Sequence, residues 1–457
     1  MRHLLFIALL FLAGLSFSEA LKSNASQSLP TQKLQLMTPP LTAAGSRMPR
    51  LVKLPNADVL MSWVEPRGKG HVLKFSVLHE GRWLKPGEVI EGENWFVNWA
   101  DYPSVVAIDE KFWVAHWLVK QKGAKTYDYD IALAISNDAG LSWRNVGHPH
   151  QDKGVAAEHG FVTIFPDAEE AGIVWLDGRN YLKKEDKAQG LNNSKSLEKS
   201  GNFNLRYTRV HHDGTIEAEH VLDDNTCTCC WTSVATTRQG ALAAWRGRTD
   251  DEIRDNRVAL LRNGKWSAPK GLGSEGWRIA GCPVNGPSVA AHDNQVATAW
   301  FTAEGERPRV RLAFSMDGGE VFAKPIEIDD ATPLGRVGLV WKDSRTVVVS
   351  WMTASDPVTK KSNLALRTVG IDGKIGAVTR VVEFSAGRDT GVPQIAAIDQ
   401  GVVLAWTDSA PNYGLRTALV DWQRFESERF QSAGTLKPTV FTNKTEAFVA
   451  AICGRSH

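Results

Sequence analysis

PSVAAHDNQVATAW, residues 287–300, sets two short apolar runs on either side of a polar turn and ends on a tryptophan. The same unit recurs outward in both directions. It reads PRLVKLPNADVLMSW at 49–63, PSVVAIDEKFWVAHW at 103–117, GFVTIFPDAEEAGIVW at 160–175 and TSVATTRQGALAAW at 232–245. It returns as GLVWKDSRTVVVSW at 338–351 and PQIAAIDQGVVLAW at 393–406. Trp63, Trp117, Trp175, Trp245, Trp300, Trp351 and Trp406 therefore share one repeated position. Polar loops and further apolar runs follow most copies, with Glu80-Gly81, Asn263-Gly264 and Asp372-Gly373 placed as hairpin turns. Four short antiparallel strands per repeat is the signature of a β-propeller blade. The expected fold is all-β: a single β-propeller of seven blades, each of four antiparallel strands. A large flat apolar residue at the end of each second strand is suited to packing between neighbouring blades.

Composition agrees. Of 457 residues, 43% are hydrophobic and 23% charged, enough to build a core and too balanced for disorder. Lys+Arg 53 against Asp+Glu 51 leaves a net charge of +2, which offers no clustered basic surface for nucleic acid. Residues 1–20, MRHLLFIALLFLAGLSFSEA, carry a basic start, an apolar run and a small-x-small end at Ala20. They read as a cleaved signal peptide, so the chain is expected to be exported, periplasmic or secreted. No other stretch is long and apolar enough to span a bilayer. The expected division is signal peptide 1–20, linker or strand 21–44, propeller 45–425 and tail 426–457. The last outer strand should come from the tail or from the segment after the signal. The protein is expected to be a monomer.

Two turns carry a more specific pattern. Ser136-Asn137-Asp138-Ala139-Gly140-Leu141-Ser142-Trp143 and Ser315-Met316-Asp317-Gly318-Gly319-Glu320-Val321-Phe322 both read S-x-D-x-G-x-x-aromatic. They resemble the Asp-box of sialidase-like (BNR-repeat) propellers, and Arg47-Met48-Pro49 resembles the arginine segment that opens the sialidase domain. Sialidases have six blades, so a six-bladed ring is the alternative.

Strand order then places the chemistry. Loops leading into first strands share one face with loops joining second to third strands. Asp101, Glu158-His159-Gly160, Cys227-Thr228-Cys229-Cys230, Cys282 and Arg388-Asp389 converge there, with Arg179, the Arg246–Asp255 segment and Tyr413. A glycan or other small anionic ligand is the expected partner. By the resemblance, Arg47, Arg248 and Arg254 would clamp a substrate carboxylate, Tyr413 would be nucleophile, Glu252 its base and Asp101 the acid/base. Arg179 and Arg246 are further candidate anion ligands on that face. The segment Arg246–Asp255 also reads as a salt-bridged loop that fixes its own shape.

Cys227 and Cys282 fall six residues before the matching Ser233 and Ser288, so they hold equivalent places in adjacent repeats. Cys227, Cys229, Cys230 and Cys282 are expected near one another. In an exported protein they read either as a disulfide, Cys227 or Cys229 to Cys282, or as a soft-metal site for Cu(I) or Zn(II), with His159 or Asp101 able to join.

Overall fold

A computed structural model describes residues 35–427 apart from 122, 124, 153, 182–200 and 410–413. Its described residues form seven antiparallel sheets in succession. Blade 1 holds Arg47–Lys53, Val59–Arg67, Gly70–His79 and an outer edge split into Arg82–Trp83 and Gly87–Gly92. Blade 2 holds Ser104–Ala107, Trp113–Lys120, Tyr129–Ser136 and Arg144–Gly147. Blade 3 holds His159–Asp167, Glu170–Asp177, Asn204–Val210 and His220–Asp223. Blade 4 holds Ser233–Thr237, Gly240–Arg246, Asn256–Arg262 and the split edge Lys265–Trp266 and Lys270–Gly271. Blade 5 holds Ser288–His292, Gln295–Thr302, Arg309–Ser315 and Ile326–Asp329. Blade 6 holds Gly335–Asp343, Thr346–Met352, Lys361–Gly370 and Thr379–Ser385.

Blade 7 closes the ring. Its inner strands are Gln394–Ile398, Gly401–Asp408 and Gly414–Asp421, and its outer strand is Gln35–Met37. Gln35 pairs with Leu419 and Met37 with Thr417, antiparallel. The closing strand thus comes from the N-terminal side, ahead of the expected start at residue 45. The tail from 428 on lies outside the described residues, as do the signal segment and Cys453. The seven-bladed expectation holds and the six-bladed alternative does not.

The repeated tryptophans explain how flat sheets become a ring. Each sits at most 3% exposed in its own hydrophobic cluster. Trp245 of blade 4 packs against Phe165, Val174 and Leu205 of blade 3. Trp175 of blade 3 packs against Val114, Ile131 and Leu133 of blade 2. Trp63 of blade 1 packs against Val403, Ala405 and Leu415 of blade 7, sealing the same joint that Gln35–Met37 closes at its edge. The indole N–H groups of Trp63, Trp175, Trp245, Trp300 and Trp351 also find carboxylate partners. Trp245 donates to Asp223 of blade 3 (2.7 Å), and Trp351 of blade 6 donates to Asp329 of blade 5.

The two S-x-D-x-G turns fold alike on the face away from the lead-in loops. Ser136 Oγ donates to Asp138 (2.7 Å) and accepts from Gly140 N (2.8 Å); Ser315 does the same with Asp317 (2.6 Å) and Gly319 N (2.9 Å). Gly319 has φ +97, and a Cβ there would lie 2.1 Å from Leu242 Cδ1 in blade 4. Only glycine meets both demands.

Candidate active site in the axial cleft

Lead-in loops of blades 2 to 5 and 7 meet over a small cleft of about 100 Å³, open to solvent. Asn98, Trp99, Asp101, Tyr129, Glu158, Phe161, Cys229, Cys282 and Arg388 line it. The expected convergence of these loops on one face is therefore observed for Asp101, Glu158, Cys229, Cys282 and Arg388.

Asp101 is among the most deeply buried of these residues. It is 2% exposed, accepts the Tyr129 hydroxyl at 2.7 Å and accepts the backbone N–H of Phe161 at 2.8 Å. Burial raises its carboxyl to about 7 against the pull of those two donors, so it stays largely neutral in mildly acidic solution. The site is built around this side chain. Gly160 passes so close that a Cβ there would lie 2.0 Å from Asp101 Oδ2. Phe161 takes a left-handed φ of 54° at a break in register between Gly160 and Thr163. That conformation costs about 1–3 kcal/mol in a non-glycine residue, and the Asp101 bond to its N–H holds it in place.

Tyr129 begins the third strand of blade 2, its ring stacked on Phe96 at 4.0 Å. Its hydroxyl also lies 3.4 Å from Glu158 Oε1, so one phenol stands between two carboxyl groups. Neither Tyr129 nor Glu158 carries a motif. Glu158 was legible as a member of the lead-in loop before blade 3, whereas Tyr129 is buried and has no repeated counterpart.

Positive charge reaches the cleft from blades 1, 6 and 7. Arg388 lines it directly. Arg336 stacks on Trp99 at 4.6 Å and donates to Gly391 O at 2.7 Å; burial lowers it to about 10. Arg50 lines an adjoining pocket shared with Asp101 and Phe161, and donates to Gln394 at 3.1 Å.

The arginines singled out from the sequence have other work. Arg246 is 1% exposed and gives its guanidinium to the carbonyls of Asn285 (2.9 Å), Arg254 (2.7 Å) and Phe301 (2.7 Å). It braces blades 4 and 5, with four of its five N–H donors taken by backbone carbonyls. Arg179 is held by Asp177 and Glu219, both at 2.6 Å. Arg248 and Arg254 both bind Glu252, and burial of that carboxylate is outweighed by the two guanidiniums, which hold it below its ordinary range. The salt-bridged-loop reading of Arg246–Asp255 is the one observed, with Glu252 held between Arg248 and Arg254. Arg47 opens blade 1 near enough to His71 to lower its proton affinity, and is not among the residues that line the cleft. Tyr413 lies outside the described residues.

His159 needs a correction. It does not join the cysteines but sits 0% exposed among Asp152 (3.0 Å), Asp130 (3.5 Å) and Asp177 (3.8 Å), stacked on His150 at 4.0 Å. Burial would lower it, but the carboxylates prevail and raise it to about 9. The imidazolium is a structural cation joining blades 2 and 3.

Cys227, Cys229 and Cys230 are buried in the loop leading into blade 4, with Cys282 across from them in the loop leading into blade 5. Cys227 and Cys229 keep free thiols, so the disulfide expected from either of them to Cys282 is not formed. Cys227 Sγ lies 3.1 Å from Cys230 Sγ and 3.8 Å from Cys229 Sγ, and Arg254 Nη1 stands 3.5 Å from Cys227 Sγ. Burial alone would push the Cys227 thiol up. The neighbouring thiols and Arg254 reverse that and hold the Cys227 thiol below its ordinary range.

The chain matches no protein-family model and no curated protein sequence. Among solved structures it is similar to the Penicillium chrysogenum alpha-L-arabinanase, at 12% identity over 86% of this chain and 98% of that one, TM-score 0.45. It is also similar to the NanB sialidase from Streptococcus pneumoniae, at 14% identity over 87% of this chain and 71% of that one, TM-score 0.42. A Dyadobacter fermentans protein of unknown function aligns at 12% identity over 86% and 100%, TM-score 0.47. Likeness at this level says nothing about chemistry. Among the described residues no helix is long and apolar enough to cross a membrane.

Proposed function

We propose that the axial cleft is an acid–base site that cleaves a carboxylated glycan in an exported protein. The observation that carries this reading is the Asp101–Tyr129–Glu158 constellation. A buried carboxyl near neutrality, a phenol within hydrogen-bond reach and a second carboxylate beside that phenol line a single cleft. A carboxyl with raised proton affinity beside a phenol and a second carboxyl is a set of groups suited to general acid–base chemistry.

The roles follow from the distances. Neutral Asp101 delivers a proton to the oxygen of the leaving alcohol. Tyr129 attacks the anomeric carbon as the glycosidic C–O bond breaks, and its phenolic proton passes to Glu158. Asp101, now a carboxylate, then takes a proton from the water that cleaves the Tyr129–sugar bond, and Glu158 returns its proton to the departing phenolate. A neutral phenol suits a carbon that bears a carboxylate, since it meets that group without charge repulsion. Arg388, with Arg336 and Arg50 behind it, supports an anionic ligand, and Trp99 and Phe161 offer apolar faces to a sugar ring. This assignment keeps the role the sequence suggested for Asp101 and moves the phenol and its base to Tyr129 and Glu158.

The test is release of 4-methylumbelliferone from aryl sialosides and aryl uronides between pH 4 and 8. Turnover should fall about 10²–10⁴-fold in Asp101→Asn and Tyr129→Phe. Absence of turnover on the whole panel, or full activity in both variants, contradicts the reading.

A further inference from the structure

The three thiols of the blade 4 lead-in loop have no part in glycan cleavage, yet they are among the most completely buried polar-capable groups near the axis. Cys227 is 0%, Cys229 3% and Cys230 1% exposed. Their sulfurs all lie within 4.8 Å of one another, at 3.1 Å for Cys227–Cys230 and 3.8 Å for Cys227–Cys229. Three sulfurs bound to one metal at about 2.3 Å stand roughly 3.8–4.0 Å apart. The loop therefore already holds its thiols close to the separations that a shared ion needs, with an adjustment of less than 1 Å for the tightest pair.

We propose that Cys227, Cys229 and Cys230 form a trigonal site for a single Cu(I) ion. The donor set argues for that metal. It consists of sulfur alone: His159, the imidazole the sequence put forward as a partner, is taken up by Asp130, Asp152 and Asp177. A small set of thiolates without imidazole suits Cu(I), whereas structural Zn(II) takes four ligands in a tetrahedron. Three thiolates around Cu(I) carry a net charge of −2, which a buried site must offset. Arg254, 3.5 Å from Cys227 Sγ, supplies one positive charge. Arg246 supplies a second from the strand whose carbonyl binds Cys227 N at 3.0 Å.

The frame around the thiols is rigid. Arg246 is pinned by Asn285 and Phe301 carbonyls, and Arg254 is held by Glu252 at 2.7 Å. Access is also present. Cys229 and Cys282 line the axial cleft, so an ion arriving there meets Cys229 first, with Cys282 opposite as a transient fourth sulfur. The site is thus separate from the Asp101 chemistry in its ligands and shares only the approach.

The experiment uses the full chain, purified reduced and without oxygen, and titrated with Cu(I) against a chromophoric Cu(I) chelator. The expected result is one copper per chain by elemental analysis and three sulfur neighbours by X-ray absorption. Cys227→Ser and Cys230→Ser should each abolish stoichiometric uptake, and Cys453→Ser should leave it at one. If a serine variant fails to fold, the absorption spectrum of the loaded wild type still decides, because it counts sulfur ligands directly. Three outcomes overturn the proposal: no copper retained by the reduced chain, a copper shell dominated by nitrogen or oxygen, or Zn(II) held with four sulfurs while Cu(I) is refused. Loss of copper uptake with glycan turnover intact in Cys227→Ser would separate this site from the cleft chemistry.

Discussion

Asp101, in the loop leading into blade 2, and His159, at the start of blade 3, are both buried and both have raised proton affinity, for opposite reasons. Asp101 is raised by burial, so the neutral acid is its resting form below about 7. Glycan cleavage that needs this proton should decline as pH rises through 7, and a rate that climbs steadily above pH 7 would contradict the assignment. Gly160→Ala tests the same residue sterically. A Cβ 2.0 Å from Asp101 Oδ2 must displace the carboxyl, so turnover should drop at least about 10²-fold while circular dichroism stays unchanged. His159 is raised to about 9 by its carboxylates after burial is overcome. A group whose folded affinity exceeds its ordinary value of 6.5 stabilises the fold fully below 6.5 and loses that contribution as pH rises through 9. The melting temperature should therefore fall between pH 6.5 and 9, by a free energy on the order of 2–3 kcal/mol. A melting temperature flat across that window would contradict it.

Strands and turns were the most legible level, because a repeat multiplies a weak signal. One tryptophan at the end of an apolar run says little; seven at matched positions imply seven second strands, and each lies in its own cluster between blades. Trp245→Ala should cost about 3–5 kcal/mol, read by urea unfolding, since it removes a fully buried indole and its bond to Asp223. A loss below 1 kcal/mol would mean the joint repacks. What the repeat could not reveal is where it breaks. The first strands of blades 1, 3 and 6 each shift register near the axis, with Met48, Phe161 and Arg336 at positive φ. Each strained N–H is held from the blade before, by Thr407 (3.1 Å), Asp101 (2.8 Å) and Asn285 (2.6 Å). These bulges turn side chains toward the axis, and no local residue preference announces them. The pairing of Arg248 and Arg254 with Glu252 was legible as a salt-bridged loop, whereas Arg246 and Arg179 read as ligand cations until their carbonyl and carboxylate partners are seen.

At the scale of the molecule, ring closure rests on Gln35–Met37, three residues too few to show any periodicity. A chain starting at Thr38 leaves Gly414–Asp421 as an exposed edge, so it should melt several degrees lower and aggregate at concentrations where the full chain does not. An unchanged melting temperature would show that the closing strand contributes nothing. The ring in turn gathers residues more than a hundred positions apart, such as Asp101, Cys282 and Arg388, around one cleft. The most direct test of what that cleft does is to trap its covalent intermediate. Wild type and Tyr129→Phe are incubated with activated fluorinated sialyl and uronyl fluorides, and the modified peptide is read by mass spectrometry. A single glycosyl adduct on Tyr129, absent from Tyr129→Phe, is the predicted result; an unmodified protein, or an adduct on another residue, would contradict the account.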